Sequence, residues 1–242
     1  MEKRLDIAIR EKMNVSRDYA KEIIKAGKCS INGKIIYKPS TIINSESKLL
    51  INAEKPQYVS RGGKKLEYAI KKFKINLNDA KCLDIGASTG GFTDCMLQNG
   101  AKYVIALENG HSQLDKKLLE NPKVISLEKT DIRNITENFL SYKPDFVSVD
   151  LSFISLKLVI PSIASLMSAG SKAVFLLKPQ FECGPGNVNK KGIITDLATH
   201  QKVFLQALET LALNSFNICG AAFSPILGGD GNIEYLIYVV KE

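Results

Sequence analysis

The chain carries two rhythms of apolar and polar positions, one after the other. In the first, the runs are short. Leu5, Ile7-Ala8-Ile9 and Met13 form an irregular helical stripe that ends at Asn14-Val15-Ser16. Ser16 reads as the N-cap of a second helix, Arg17 to Ala26, with Tyr19-Ala20 and Ile23-Ile24 on one face. Gly27 closes that helix as a left-handed cap. Cys29 to Ile36 places two short runs around Asn32-Gly33, a hairpin signal, and Leu49-Leu50-Ile51 makes a further strand.

After the polar stretch Glu54-Lys55-Pro56-Gln57 the rhythm changes to apolar strands alternating with helices. Strands are predicted at Lys81–Gly86, Tyr103–Leu107, Val124–Leu127, Phe146–Asp150 and Ala173–Lys178, with two last ones near Asn217–Phe223 and Ile233–Val240. Helices are predicted at Gly91–Gln98, Ser155–Met167 and Asp196–Leu213, and Ser60–Glu67 reads as the start of another. Alternation of this kind argues for a doubly wound, mostly parallel α/β sheet. The expected organisation is a module over 1–56, a linker over 57–62 and a larger domain over 63–242.

Composition changes the picture in one respect. At 242 residues, 45% apolar and 24% charged, the chain is globular in make-up, which excludes disordered and collagen-like classes. The uncharged run Leu158–Ser171 is too short and too broken by Pro161 to span a bilayer, and the first residues lack the apolar core of a signal peptide. Five scattered cysteines without a CxxC pair point to reduced thiols and a cytoplasmic protein. The net charge of +8 is unevenly spread: residues 1–81 carry +10 and residues 82–242 carry −2. A basic module joined to a near-neutral one suits a nucleic-acid grip on a catalytic body.

Within the first module, Arg17, Lys21, Lys25 and Lys28 recur on one helical face, opposite the apolar one. Arg4-Leu5-Asp6, Ser16-Arg17-x-x-Ala20, Ile24-x-x-Gly27 and Asn32-Gly33-Lys34 resemble the S4 RNA-binding domain, a small α+β fold. That resemblance implies RNA contacts from Arg4, Arg17, Lys21, Lys25 and Lys28, with Arg61 and Lys64 adding basic residues just beyond.

The turn Asp84-Ile85-Gly86-Ala87-Ser88-Thr89-Gly90-Gly91-Phe92 is neither the GxGxxG dinucleotide fingerprint nor a P-loop. Glu108 closes the next strand, 22 residues after Gly86, at the spacing of a carboxylate that grips ribose hydroxyls. An acidic mouth disfavours pyrophosphate and suits a cationic cofactor without phosphate, S-adenosylmethionine. Asp84 would meet its ammonium, Glu108 its ribose and Asp131 its adenine amino group. Gly86 to Phe92 would form the surrounding turn.

Four more charges stand at strand ends or helix starts: Lys65, Asp150, Lys178 and Glu234. Carboxyl ends of strands in an open α/β sheet line the ligand crevice. Five segments resemble the TlyA family: Ser60–Glu67, Leu83–Asp94, Asp150–Leu156, Leu177–Glu182 and Ser224–Glu234. Its members carry the names hemolysin and ribosomal RNA 2′-O-methyltransferase. The resemblance implies an S4 domain before an FtsJ-like, Rossmann-like methyltransferase sheet whose last strand is antiparallel. It also implies a Lys-Asp-Lys-Glu tetrad on Lys65, Asp150, Lys178 and Glu234, acting on cytidine in ribosomal RNA or a ribosomal subunit. Glu108-Asn109-Gly110-His111-Ser112 stands where the family has Asp-Val-Gly-Tyr-Gly.

Bottom-up, a ribose 2′-hydroxyl must lose its proton as it attacks a methyl group in line. Lys178 or Lys65 takes that proton; Lys178 can do so only with its pKa lowered, as the second lysine and the cationic cofactor would lower it, and the two carboxylates balance the charge. A base-directed methyltransferase is disfavoured, because Asp150-Leu151-Ser152-Phe153 stands where that class has Asn/Asp-Pro-Pro-Tyr/Phe. A membrane-active cytolysin finds no amphipathic basic helix of sufficient length. His111 and His200 lack neighbours at ligand spacing, so no metal site is expected, and His200 reads as a surface or partner contact. Cys183–Gly192, rich in turn residues, reads as a mobile loop at the substrate mouth.

Overall fold

A computed structural model describes residues 2–184 and 186–242. Pro185, inside the expected mobile loop, lies outside the described residues. The chain forms two compact units, one ending at Arg61 and one spanning Gly62–Glu242.

The first unit opens with β1 (Lys3–Arg4), α1 (Leu5–Met13) and α2 (Arg17–Lys25). Then follow β2 (Cys29–Ile31), β3 (Lys34–Ile35), β4 (Ile42–Ile43) and β5 (Leu49–Ile51). Leu5, Ile9, Met13, Ala20, Ile23, Ile24 and Cys29 close its core. Ser16 caps α2 by accepting a hydrogen bond from the Tyr19 N–H at 3.2 Å. The helix ends in a complete Schellman turn. Lys28 N–H donates to Ile23 O and Gly27 N–H to Ile24 O, with Gly27 at φ +70°. Lys28 therefore lies beyond the helix and does not continue its basic row. The small sheet runs β3-β2-β5, while β1 pairs with β4.

The second unit begins with α3 (Gly62–Phe73), β6 (Lys81–Ile85), α4 (Gly91–Gln98) and β7 (Tyr103–Leu107). It continues through α5 (Lys116–Leu119), β8 (Val124–Leu127), β9 (Phe146–Val149), α6 (Leu156–Leu166) and β10 (Lys172–Leu177). It ends with α7 (Leu197–Leu213), β11 (Phe216–Phe223) and β12 (Tyr235–Lys241). The sheet order is β11-β12-β10-β9-β6-β7-β8. Every strand runs parallel except β12, which lies antiparallel between β10 and β11. The continuous apolar runs have their cause here: β6, β9 and β10 are covered on both faces and bury nearly every residue. The core joins Leu83, Ile105, Val147, Phe175 and Ile237 of the sheet to Val159 and Ile163 of α6 and Val203 and Leu211 of α7.

From β6 the chain steps outward to β7 and β8, then returns to β9 on the other side of β6. The crevice at the carboxyl ends of β6 and β9 is thus the topological switch point, where ligands of such sheets bind. Glu234, expected to begin the last strand, instead precedes it by one residue, in the loop that enters β12.

Candidate active site

The switch point brings two chain segments into unusually close approach. Asp150 N–H donates to Ile85 O at 2.9 Å, so the end of β9 is tied to the end of β6. A Cβ on Gly86 would lie 2.4 Å from Asp150 O, and Gly86 has φ +81°. Only glycine fits on both counts. Gly86 and Ala87 both donate to Leu107 O, which ties the turn to β7 as well. Ser88 (φ +48°) and Gly90 (φ +92°) complete a turn of alternating hand, with Thr89 exposed between them. Gly90 precedes α4, which Gly91 and the buried Phe92 begin. Phe92 serves the core rather than the wall of the turn.

Two of the acidic residues behave differently from the sequence expectation. Asp84 does not face the crevice. It is fully buried, with Thr93 Oγ1 donating to Oδ2 at 2.6 Å and Ser148 Oγ to Oδ1 at 2.9 Å. Burial pushes its pKa up to about 6, against the opposing pull of those two hydroxyls. It supports the turn from beneath, so a direct ammonium contact gives way to a positioning role. Asp131 is not a free acceptor either. Arg133 holds it through Nε at 3.0 Å and Nη2 at 2.5 Å, which keeps the carboxyl below its usual range. An adenine amino group would have to share this carboxylate with a guanidinium.

Glu108 follows β7 and faces the glycine turn. One oxygen accepts the Ser88 N–H at 2.9 Å and the other the Gly110 N–H at 2.7 Å, so the carboxylate clasps the glycine turn to its own loop. Each oxygen keeps acceptor capacity for a diol hydroxyl. The donor set therefore fits a ribose at this edge, where the Glu108 carboxylate would repel a pyrophosphate. His111, in the same loop, is exposed and meets Ser112 Oγ at 2.5 Å.

The four charges resolve into two ion pairs. Lys178 Nζ lies 2.5 Å from Asp150 Oδ1 and donates to Ser152 Oγ at 2.9 Å. Lys65 Nζ lies 2.5 Å from Glu234 Oε2, and both residues are buried. The ladder explains their meeting. Phe175 faces Val149 and Leu177 faces Tyr235, so the residues that follow or precede them emerge at one edge. The Lys65–Glu234 pair is out of water, and removing one partner strands the other.

Three further residues shape this edge through partners that the sequence does not place beside them. Glu182 reaches back to the Asp150 loop, accepting from Ser155 Oγ at 2.5 Å and from the Leu156 N–H at 2.7 Å. It locks the loop after β10 to the start of α6. Phe153 is 89% exposed at φ +62°, its ring 4.9 Å from that of Phe181. A bulky residue held in the left-handed region costs on the order of 1–3 kcal/mol and marks a constrained site. Asn232, 1% exposed, accepts from Ile194 N–H at 3.0 Å and donates to Gly192 O at 2.9 Å, fastening the 187–195 segment to the loop that carries Glu234. All three lie in or beside quoted motifs, but their partners are distant in sequence.

His200 is not at the surface. It is 5% exposed and its Nδ1 lies 3.0 Å from the Tyr235 hydroxyl. In the first unit, Arg4 and Arg17 both turn inward onto the buried Asp6. Their Nε atoms each lie 3.0 Å from one of its oxygens. The Arg4 hydrogen bonds, seconded by Arg17, pull the Asp6 pKa down to about 2. These arginines pin α1 to α2, and only their outer edges are open to a partner. Lys21 pairs with Asp18 and Arg61 approaches Glu22, whereas Lys25 and Lys28 are exposed. Lys64 is exposed near the start of α3. Among the described residues, no group of histidine, cysteine or carboxylate side chains could hold a metal ion, and no helix is long and apolar enough to cross a membrane.

Comparison with known proteins agrees with this geometry. Residues 58–241 match the FtsJ-like methyltransferase family and residues 3–49 the S4 domain. The chain is 36% identical to the 16S/23S rRNA (cytidine-2′-O)-methyltransferase TlyA of Mycobacterium tuberculosis, over 96% of this chain and 87% of that one. It is 40% identical to Hemolysin A of Brachyspira hyodysenteriae, over 93% and 94% of the two chains. A solved structure from Streptococcus thermophilus that bears the hemolysin name superposes with a TM-score of 0.80 at 40% identity, covering 99% of this chain and 88% of that one. A matched catalytic family over most of the chain, near full-length relatives and a sheet with its crevice at the switch point lead to one conclusion: this chain belongs to the FtsJ-like methyltransferases, in the TlyA group that carries an S4 domain.

Proposed function

We propose that this protein methylates the 2′-hydroxyl of a cytidine ribose in ribosomal RNA, with S-adenosylmethionine as donor. The observation that carries this reading is the pair of ion pairs, Lys178–Asp150 and Lys65–Glu234, at one edge of the sheet beside the glycine turn. The names of the relatives support the substrate class. S-adenosylmethionine supplies an electrophilic methyl group when bound. Glu108 would hold its ribose through the acceptor capacity left on its two oxygens, and the turn Gly86–Gly91 would enclose it, with Asp84 bracing that turn. Lys178, entering the step with its Nζ unprotonated, would receive the 2′-hydroxyl proton there as the oxygen attacks, while Asp150 and Ser152 keep the lysine aimed. Lys65, held by Glu234, would steady the oxygen as negative charge grows on it. Phe153 offers an open aromatic face against which the target base can stack once it leaves its neighbours.

The test is methyl transfer to ribosomal RNA, with the product mapped for 2′-O-methylcytidine. Lys178→Ala and Lys65→Ala should each lower turnover by about 10²–10⁴-fold while leaving cofactor affinity largely intact. Lys178→Arg should fail nearly as badly, because a guanidinium stays protonated at working pH. Near-normal turnover of Lys178→Arg would remove the base assignment, and a wild-type product methylated on the base would overturn the ribose reading.

A further inference from the structure

Helix α3 supplies Lys65 to the buried pair and also carries an exposed face that neither ion pair uses. At about 100° per residue, Lys64, Tyr68, Lys71 and Lys72 fall within roughly 100° of one another around the helix. All four are exposed, Tyr68 by 36%. Gly63, Leu66, Ala69 and Ile70 are buried on the other side. Lys71 pairs with Glu67 at 2.6 Å, whereas Lys64 and Lys72 have no carboxylate partner among the described residues. Eight residues separate these two cations, about 12 Å along the axis, and the Tyr68 ring lies midway. The direction of Lys65 is only roughly 20° further round from that of Lys72.

We propose that this face of α3 is an RNA track. Lys64 and Lys72 hold backbone phosphates of nucleotides that flank the modified one, and Tyr68 stacks on a base between them. The inference rests on the RNA reading above and extends it from the reacting nucleotide to its neighbours. An aromatic ring set between two free cations matches a polymer that alternates base planes with phosphates. A membrane surface would call for a broad apolar face beside the cations, and this one offers a single tyrosine. Because the track adjoins Lys65 on the same helix, a strand lying along it is led to the Lys65–Glu234 pair.

Binding of the full chain to a ribosomal RNA fragment, measured across a salt series, tests the proposal. Lys64→Ala with Lys72→Ala should lower the slope of log affinity against log salt by about 1.4 for single-stranded RNA, since each lost phosphate contact removes about 0.7. Tyr68→Ala should weaken binding roughly tenfold at unchanged slope, and Tyr68→Phe should restore it. Calorimetric affinity for S-adenosylmethionine and the thermal midpoint should stay at wild-type values, which separates a lost contact from a lost fold. A double variant with wild-type slope and affinity, in an enzyme that still binds and methylates RNA, overturns the track and leaves the function standing. A wild-type chain that binds no ribosomal RNA overturns both. Loss of binding to anionic phospholipid vesicles with RNA binding intact overturns the track in favour of a membrane contact.

Discussion

Asp84 carries the largest pH liability among the residues that shape the site. Its ordinary pKa is near 3.8, and burial raises it to about 6 in the folded chain. Below pH 4 the group is protonated in both states and has no effect on stability. Between pH 4 and 6 the native state keeps a proton that the unfolded chain has released, and above 6 it must hold a charge in the core. Folding stability therefore falls across this window, by about 3 kcal/mol at its upper end for a shift of this size. Asp84→Asn should remove most of that decline. Denaturant unfolding of the two proteins without cofactor should agree near pH 4 and diverge by pH 8, with the variant the more stable. Identical pH profiles would show that Asp84 does not titrate in this way. The residue itself stands out in the sequence, as the acid that opens a glycine turn. Its burial was not legible, because it depends on Thr93 and Ser148, the latter on a strand 64 residues away.

At the scale of elements, the two loops that carry Asp150 and Lys178 form one unit because Glu182 binds the first turn of α6. Glu182→Ala leaves the Leu156 N–H and the Ser155 hydroxyl without their acceptor, and the loops can part. Turnover should drop by up to about a hundredfold, since small misplacements of reacting groups cost that much. Cofactor affinity should remain unchanged and Glu182→Gln should recover part of the rate. Equal losses in Glu182→Gln and Glu182→Ala, with cofactor binding lost as well, would point to general unfolding instead. The elements themselves were largely readable. Strands covered on both faces appear as unbroken apolar runs, and Ser16, Ser155 and Asp196 announce helices by capping them. Strands β1 and β4, two residues each, are too short to show a period and exist only through their mutual pairing. His200 misled for a related reason: its partner Tyr235 comes 35 residues later, on another element.

For the whole molecule, the division of charge read from the sequence has a measurable counterpart. The first 81 residues carry the entire basic excess, and α3 with its track belongs to that stretch. Raising salt from about 50 to 200 mM should weaken RNA binding steeply, by a factor that grows with the number of phosphates held. Binding of S-adenosylmethionine, measured by calorimetry over the same range, should change little, and equal salt slopes for both ligands would contradict the division. Which charges are spoken for was not legible in the residue pattern, because it depends on partners that the fold brings up. Arg4 and Arg17, the strongest candidates by type, are held by Asp6, while the plainer Lys64 and Lys72 are free. The second ion pair joins residues 169 positions apart, Lys65 on α3 and Glu234 in the loop that leads into β12. The pair closes only when α3 and β12 are both in place, so it fastens the two ends of the second unit to each other rather than either half to itself.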